Sequence, residues 1–422
     1  MHLHSRVLVV TAAALTASVL APPAAHAADP TRYVSTSGSD VANTTCDSHH
    51  PCRTVQHAVD LAAPGDTIRV AAGTYTEQVT AGKNLSIQGA GIDETVIKAP
   101  PVLLPSTDTG DGQISIVEVT KGATDTISKL TVAGPGPTPC ASINAGISVR
   151  KNATLRLVGA AVRDIHDTPA GGCQNGDGVS IGSRCLSCPS DTGHALIAFV
   201  EVTNYQKNGI AARGKGSTLE LFAADIQTKP SPIIASNGVE ILKGATGRVS
   251  FNRITGNECN HPTACGLDAL NPNVVQGSGI LVDGTDRSTV VSHNLVTSND
   301  IGVYTNDGIT VSDNRDSNNR AAGIYVDTGA TKAVFSGNMT DRDGKYGIVV
   351  GSAANSANGT PSPGGNRFSE NSAFGNTTAD LYQSPDAAAN VNHDNRCGTA
   401  VPSLTYWDCE TERQNDGSHS RH

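Results

Sequence analysis

The chain has 422 residues, with 39 acidic against 30 basic side chains and a net charge of −9. That balance excludes the basic footprint a nucleic-acid binder needs. With 44 glycines, aromatics at 4% and frequent Asn and Asp, the composition favours many tight turns around an aliphatic core and argues against a helical bundle.

The N-terminus has the form of an export signal. His2, His4 and Arg6 make a short basic region, and Val7 to Ala21 is a run of small and aliphatic residues too short to span a bilayer comfortably. The run breaks at Pro22-Pro23, and Ala25-His26-Ala27 fits the small-x-small pattern of signal cleavage. Residues 1–27 are therefore expected to be removed. No later segment has the length and apolarity of a membrane span, so the mature chain is expected to be secreted, extracellular and monomeric.

Residues 28–66 form an N-terminal segment with a capping helix. Val55, Val59 and Ala62 or Ala63 share one helical face, Thr54 is a candidate N-cap, and Pro64-Gly65-Asp66 stops the helix. Thr67-Ile-Arg-Val and Leu85-Ser-Ile-Gln then have the form of the first strands.

A repeat follows. Gly and alternating aliphatics recur at Gly146-Ile-Ser-Val, Gly178-Val-Ser-Ile, Gly209-Ile-Ala-Ala, Gly238-Val-Glu-Ile, Gly279-Ile-Leu-Val, Gly302-Val-Tyr-Thr, Gly323-Ile-Tyr-Val and Gly347-Ile-Val-Val. The last four are 23, 21 and 24 residues apart. A second strand in each unit runs to an Asn: Asn252, Asn294, Asn314, Asn338 and Asn371. One coil cannot bury its apolar face alone, but stacked coils can. The prediction is all-β: a single right-handed parallel β-helix over residues 67–396, its coils about 4.8 Å apart. The recurring Asn is expected to take the left-handed corner and to hydrogen-bond along the axis. Right-handedness follows from the general hand of parallel crossovers.

Ten cysteines in an exported chain predict five disulfides. Their neighbours in sequence are Cys46 and Cys52, Cys140 and Cys173, Cys185 and Cys188, Cys259 and Cys265, and Cys397 and Cys409. The middle four, Cys140, Cys173, Cys185 and Cys188, allow three connectivities, and a zinc site built from them is a competing arrangement. Residues 397–422 are expected to be a disulfide-closed cap around the sole Trp407, followed by a disordered tail.

The opening Thr54-Val-Gln-His-Ala-Val-Asp-Leu-Ala-Ala-Pro-Gly-Asp-Thr-Ile-Arg-Val and the later GI-x-V and V-x-x-N units resemble the pectin-lyase-like superfamily of right-handed parallel β-helices, over roughly residues 32 to 395. The resemblance implies a carbohydrate-related role, in a superfamily of polysaccharide lyases, hydrolases, methylesterases, epimerases and phage-type binding proteins. It does not name a chemistry. The Asn-Thr-Asp, Asp-Asp, Gly-His-Gly and Arg-Ile-Lys set of polygalacturonases is not present as a set, and the Trp-x-Asp-His motif of pectate lyases and the Asp-Pro-His-Glu of alginate epimerases are missing.

Candidate site residues come from the strand alternation. After each repeat Gly, the second and fourth residues face outward. The second position holds Ser148, Ser180, Ala211, Glu240, Leu281, Tyr304 and Tyr325. The fourth holds Arg150, Gly182, Arg213, Leu242, Asp283, Asn306 and Asp327. Glu240 and Asp283, one coil apart and two residues along, would lie roughly 8 Å apart, within the range of about 6.5–9.5 Å for an inverting glycosidase pair. They are the acid/base candidates. Tyr304, Tyr325 and Asp327 are the candidates for sugar binding, with Arg213 and Lys207 as electropositive elements. Tyr205, Lys207 and Arg213 would be the base and cation of a lyase, and Asp164, Asp167 and Asp177 the ligands of a calcium ion. Two longer loops, Pro169 to Thr192 and Asn257 to Gly277, would wall a groove. Two functions follow: a polysaccharide lyase or glycoside hydrolase, or a non-catalytic β-helix that binds glycan or cell wall.

Overall fold

The structure is a computed structural model that describes residues 31–108, 112–138, 140, 143–169, 171–184, 191–229, 234–271, 274–285, 287–351, 363–385 and 387–411. The expected signal segment, the Cys185 and Cys188 pair and the C-terminal tail from 412 lie outside the described residues.

Three parallel sheets wrap one core as a right-handed β-helix. Sheet A has 13 strands, sheet B 13 and sheet C 12, and successive coils contribute one strand to each. Each strand pairs with its equivalent in the next coil, in register and parallel. Alternation decides what is inside: in Ala153–Val158 every second residue is buried. On sheet C the inward column is Ile147, Val179, Ile210, Val239, Ile280, Val303, Ile324, Ile348 and Leu381, each paired with the next and fully buried. Each such side chain contributes about 2 kcal/mol through its lost contact with water.

The repeat glycines have a packing reason. A Cβ at Gly146, Gly178, Gly209, Gly238, Gly279, Gly302 or Gly323 would lie 2.5–2.8 Å from the carbonyl oxygen of the next repeat glycine. The sheet C strands therefore enter too close to one another for any side chain.

Asparagine ladders hold the corners. Between sheets A and B, Nδ2 of Asn252 donates to Oδ1 of Asn294, and the pattern continues through Asn314, Asn338 and Asn371 to Asn395 at 2.9–3.1 Å. The expected axial hydrogen bonding is therefore present. The expected backbone role is corrected. The left-handed residue is the one before each Asn, at Phe251, His293, Asp313, Gly337, Glu370 and Asp394, with φ between 50° and 65°. That residue points outward and turns the chain, which leaves the Asn side chain inside. A second ladder runs at the corner between sheets B and C through Asn257, Asn299, Asn319, Asp343 and Asn376. Tyr205 begins it, its hydroxyl donating to Oδ1 of Asn257 at 2.7 Å. Asp380 ends it as an acceptor for Asn376 and for the backbone of Gly398 and Thr399.

Both ends are capped. Helix α1, Val55–Leu61, has Thr54 as N-cap and buries Val55, Ala58 and Val59. Its first two N–H groups donate to Glu77 at 2.9 and 2.8 Å. The first strand lies earlier than expected: Thr31–Val34 pairs with Thr67–Val70 and opens sheet A. At the far end Trp407 is fully buried, its ring edge-on to Phe368, inside the Cys397–Cys409 disulfide. Disulfides also join Cys46 to Cys52, Cys140 to Cys173 and Cys259 to Cys265. The Cys140–Cys173 bond excludes the zinc arrangement, because its sulfurs are spent on each other.

Candidate functional site

The outer face of sheet C carries the two outward columns. It divides into a charged, closed middle and an open aromatic end.

The middle is built on first-strand positions Asp177, Asn208 and Asn237, which pair in successive coils. Asn208 donates to Asp177 at 2.8 Å, and Asn237 to Asn208 at 3.0 Å. Arg213 reaches across two coils. Its guanidinium meets Asp177 at 2.8 Å and Glu240 at 2.7 Å. Arg184 is also bonded to Asp177. All of Asp177, Arg213 and Glu240 are buried. Burial alone would raise the Asp177 carboxyl, but Arg184 and Arg213 beside it hold it below the usual carboxylate range. Burial lowers the Lys207 ammonium, with Glu240 and Asp177 acting in the other direction. Lys207 Nζ donates to the carbonyl of Ala235 at 3.0 Å.

This geometry corrects two of the expectations. Tyr205 is a core residue at the head of a ladder, and burial raises its hydroxyl well above the usual range, so it is no lyase base. The three calcium candidates take separate partners: Asp177 the two arginines, Asp167 the amides of Asn175 and Gln206, and Asp164 the amide of Asn204. Among the described residues they do not form a cation site.

The strand Asn237–Leu242 pairs directly with Ser278–Asp283, with Glu240 opposite Leu281 and Leu242 opposite Asp283. The column then runs from Leu281 to Tyr304 and Tyr325. Glu240 is thus two rungs from Tyr304, about 10 Å. Asp283 is exposed and accepts from Asn306 at 2.7 Å.

The open end is a cavity of about 340 Å³ between sheet C and the loop Asn257 to Gly277; Leu281, Tyr304, Tyr325, Asp327, Asn271 and Gln276 help to line it. The two tyrosine rings meet edge to face at 5.4 Å. The Tyr304 hydroxyl donates to Asp327 at 2.7 Å, and burial, with the Asp327 charge, raises it far above its usual range. Two residues past the end of strand Ile301–Thr305, outside the cavity lining, stands Asp307, whose carboxyl accepts from the Thr285 N–H at 2.9 Å. Burial first, and then the Asp283 charge, push Asp307 up to about 6.

Sequence reasoning missed the residues that hold the loop over this cavity. Asp300 Oδ2 accepts the backbone N–H groups of both Cys259 and Gly277 at 2.8 Å, tying the two ends of the loop to one carboxylate. Arg320 meets Asp300 at 2.9 Å, Glu258 at 2.7 Å and the carbonyl of Cys259 at 3.0 Å. Ala269 and Leu270 then pack on Tyr325, Tyr346 and Val349. Asp300 follows Asn299 of the second ladder, which is the signal that could have located it.

The family profile described as "Right handed beta helix region" matches residues 188–361. No curated protein matches the chain in sequence. Among solved structures, a lacto-N-biosidase of Eubacterium ramulus is similar at 13% identity and a TM-score of 0.49, over 88% of this chain and 67% of that one. The A-module of a mannuronan C-5 epimerase of Azotobacter vinelandii is similar at 16% identity and 0.47, over 85% and 92%. The Dettilon tailspike protein is similar at 13% and 0.44, over 86% and 59%. These likenesses concern the fold alone. With the three registered sheets and the profile match, the chain is a right-handed parallel β-helix.

Proposed function

We propose that the chain is exported and acts on an extracellular polysaccharide, which it takes into the cavity over Tyr304, Tyr325 and Asp327. The observation that carries this reading is the meeting there of two aromatic rings and a carboxylate beneath a disulfide-stapled loop. Aromatic faces suit the apolar face of a sugar ring, and carboxylates accept its hydroxyl hydrogens. The signal-like residues 1–27 and the four disulfides support export.

Of the two chemistries, the arrangement favours glycoside hydrolysis over lyase action. A lyase needs a free cation, yet Arg213 is bonded to Asp177 and Glu240 and Lys207 to a carbonyl. A hydrolase needs a carboxyl that keeps its proton in mildly acidic medium, and Asp307 at about 6 meets that need. In this reading the glycan runs on past the cavity, where Asp307 is the general acid and Asp283, whose charge acts on it, the base. Glu240, with Arg213, is the fixed wall of the groove rather than its acid. The net charge of −9 favours a neutral glycan over an acidic one.

Binding without turnover is the second reading, favoured by the hydrogen bonds that already engage Asp307 from the Thr285 N–H and Asp283 from Asn306. A polysaccharide panel with two detectors separates the readings. Reducing ends without unsaturated product indicate hydrolysis, and unsaturated-product absorbance indicates a lyase. Retained binding with neither product would overturn both chemistries.

A further inference from the structure

Sheets A and B meet at an edge opposite sheet C, and that edge carries a column of exposed aromatic rings. Phe199, Phe222, Phe251 and His293 come from four consecutive coils. Their ring centroids follow at 5.7, 5.5 and 4.7 Å, the first two contacts edge to face and the last stacked. The three phenylalanines are 63%, 42% and 55% exposed.

The corner does not require rings. In other coils the same position holds Lys129, Gly159, Asp313, Glu370 or Asp394, all with positive φ. Phe199 and Phe251 take that left-handed backbone at φ 55° and 59°, which bulky residues disfavour. Where the corner residue is Ala223, the ring comes from Phe222, one residue earlier, and the column stays unbroken. Four coils thus reach the same exposed ring column by two different sequence routes, with no gain to the core.

The column is bordered by exposed Leu196 on sheet A and Leu295 on sheet B, and by charged side chains. The Asp225–Arg253 ion pair, at 2.9 Å, flanks it on sheet B, and exposed Glu220 and Arg248 on sheet A. The three phenylalanines with Leu196 and Leu295 present about 450 Å² together, still under the roughly 800 Å² per partner that a stable protein interface buries. A second copy of the chain is therefore a poor fit, and a linear ligand with flat apolar faces and polar edges is a good one.

We propose that this edge is a docking track for a polysaccharide chain, with sugar rings stacking on Phe199, Phe222, Phe251 and His293 and their hydroxyls meeting the flanking charges. The ligand class rests on the glycan reading above. The site does not, because it lies on another face. It would hold a long polymer to the protein while another stretch enters the cavity.

The test is co-sedimentation with insoluble cellulose, chitin and xylan. The wild type and Tyr304→Ala are expected to sediment with at least one polymer. The Phe199→Ala/Phe222→Ala/Phe251→Ala variant should lose at least about tenfold in affinity, with a melting temperature within about 3 °C of wild type. Phe251→Leu keeps apolar area without a ring and should also weaken binding, whereas Phe251→Asn should weaken binding while raising the melting temperature, because Asn suits the left-handed corner. Undiminished binding by the triple variant overturns the proposal, even if hydrolysis persists. So does sedimentation of the wild type with none of the three polymers. Sedimentation retained by Tyr304→Ala supports the track, whatever happens to its turnover, whereas sedimentation lost in Tyr304→Ala and kept in the triple variant overturns it.

Discussion

Asp343 accepts two hydrogen bonds from Asn319, from its backbone N–H at 2.8 Å and from Nδ2 at 3.1 Å, in a column where the rungs on either side are asparagines. Its Oδ2 stands beside Gly323 where Asn319 and Asn376 place their Nδ2 groups beside Gly302 and Gly347. An ionised carboxylate has no hydrogen to donate at that point, and a protonated one does. Burial accordingly pushes Asp343 up to about 7. Asp316, fully buried with no hydrogen-bond partner on either oxygen, is held well above the carboxylate range, by burial first and then by Asp343.

Stability should therefore fall as pH rises. Between about pH 4 and pH 7 the folded chain keeps the Asp343 proton while the unfolded chain has released it. The contribution is greatest below about pH 4, is lost up to about pH 7 and is flat beyond, and it amounts to no more than about 4 kcal/mol. Asp343→Asn restores the missing donor. It should raise the melting temperature at pH 8 and flatten its pH dependence, measured by calorimetry at pH 5 and pH 8.

Gly209→Ala should destabilise by about 2–3 kcal/mol. Its Cβ would lie 2.6 Å from both the carbonyl oxygen of Gly238 and a methyl of Ile226, and neither can withdraw. Gly159→Ala, with nothing within 4 Å, should lose only about 1 kcal/mol, for its positive φ. Urea unfolding midpoints compare the two.

Arg320→Ala removes the clasp on Asp300, Glu258 and Cys259. The loop from 257 to 277 should be cut several-fold faster by a protease while global unfolding changes little, since the loop opens locally. Equal cleavage rates would contradict the anchoring role.

Reduction of the Cys397–Cys409 disulfide, which spans 12 residues, should loosen the C-terminal plug by about 3 kcal/mol. Trp407 is the sole tryptophan and is fully buried, so its emission should shift to the red at lower urea than in the oxidised protein.

The fold was legible because a repeat states itself. The glycines, the period-two strands, the Thr54 cap and the closing cysteines each imply their neighbours, and the outward columns of sheet C followed from alternation alone. The ladders were legible in their asparagines, but the outward left-handed residue was not, because Phe251, His293 and Glu370 carry no turn signature. Partners across coils were also hidden. Nothing in the spacing pairs Arg213 with both Asp177 and Glu240, or makes Asp300 the clasp of a loop whose Cys259 lies 41 residues before it. Asp307 escaped attention because its proton affinity comes from burial and from Asp283, which only the fold supplies.

Glycan hydrolysis through Asp307 is tested most directly by reducing-end release from the polysaccharide panel across pH 4 to pH 8, by wild type and Asp307→Asn. A general acid loses its proton as pH rises, so wild-type activity should fall above about pH 6. Asp307→Asn should lose at least about 100-fold at every pH, with the fold intact. Wild-type rates in Asp307→Asn, or no product from any polymer, would contradict it.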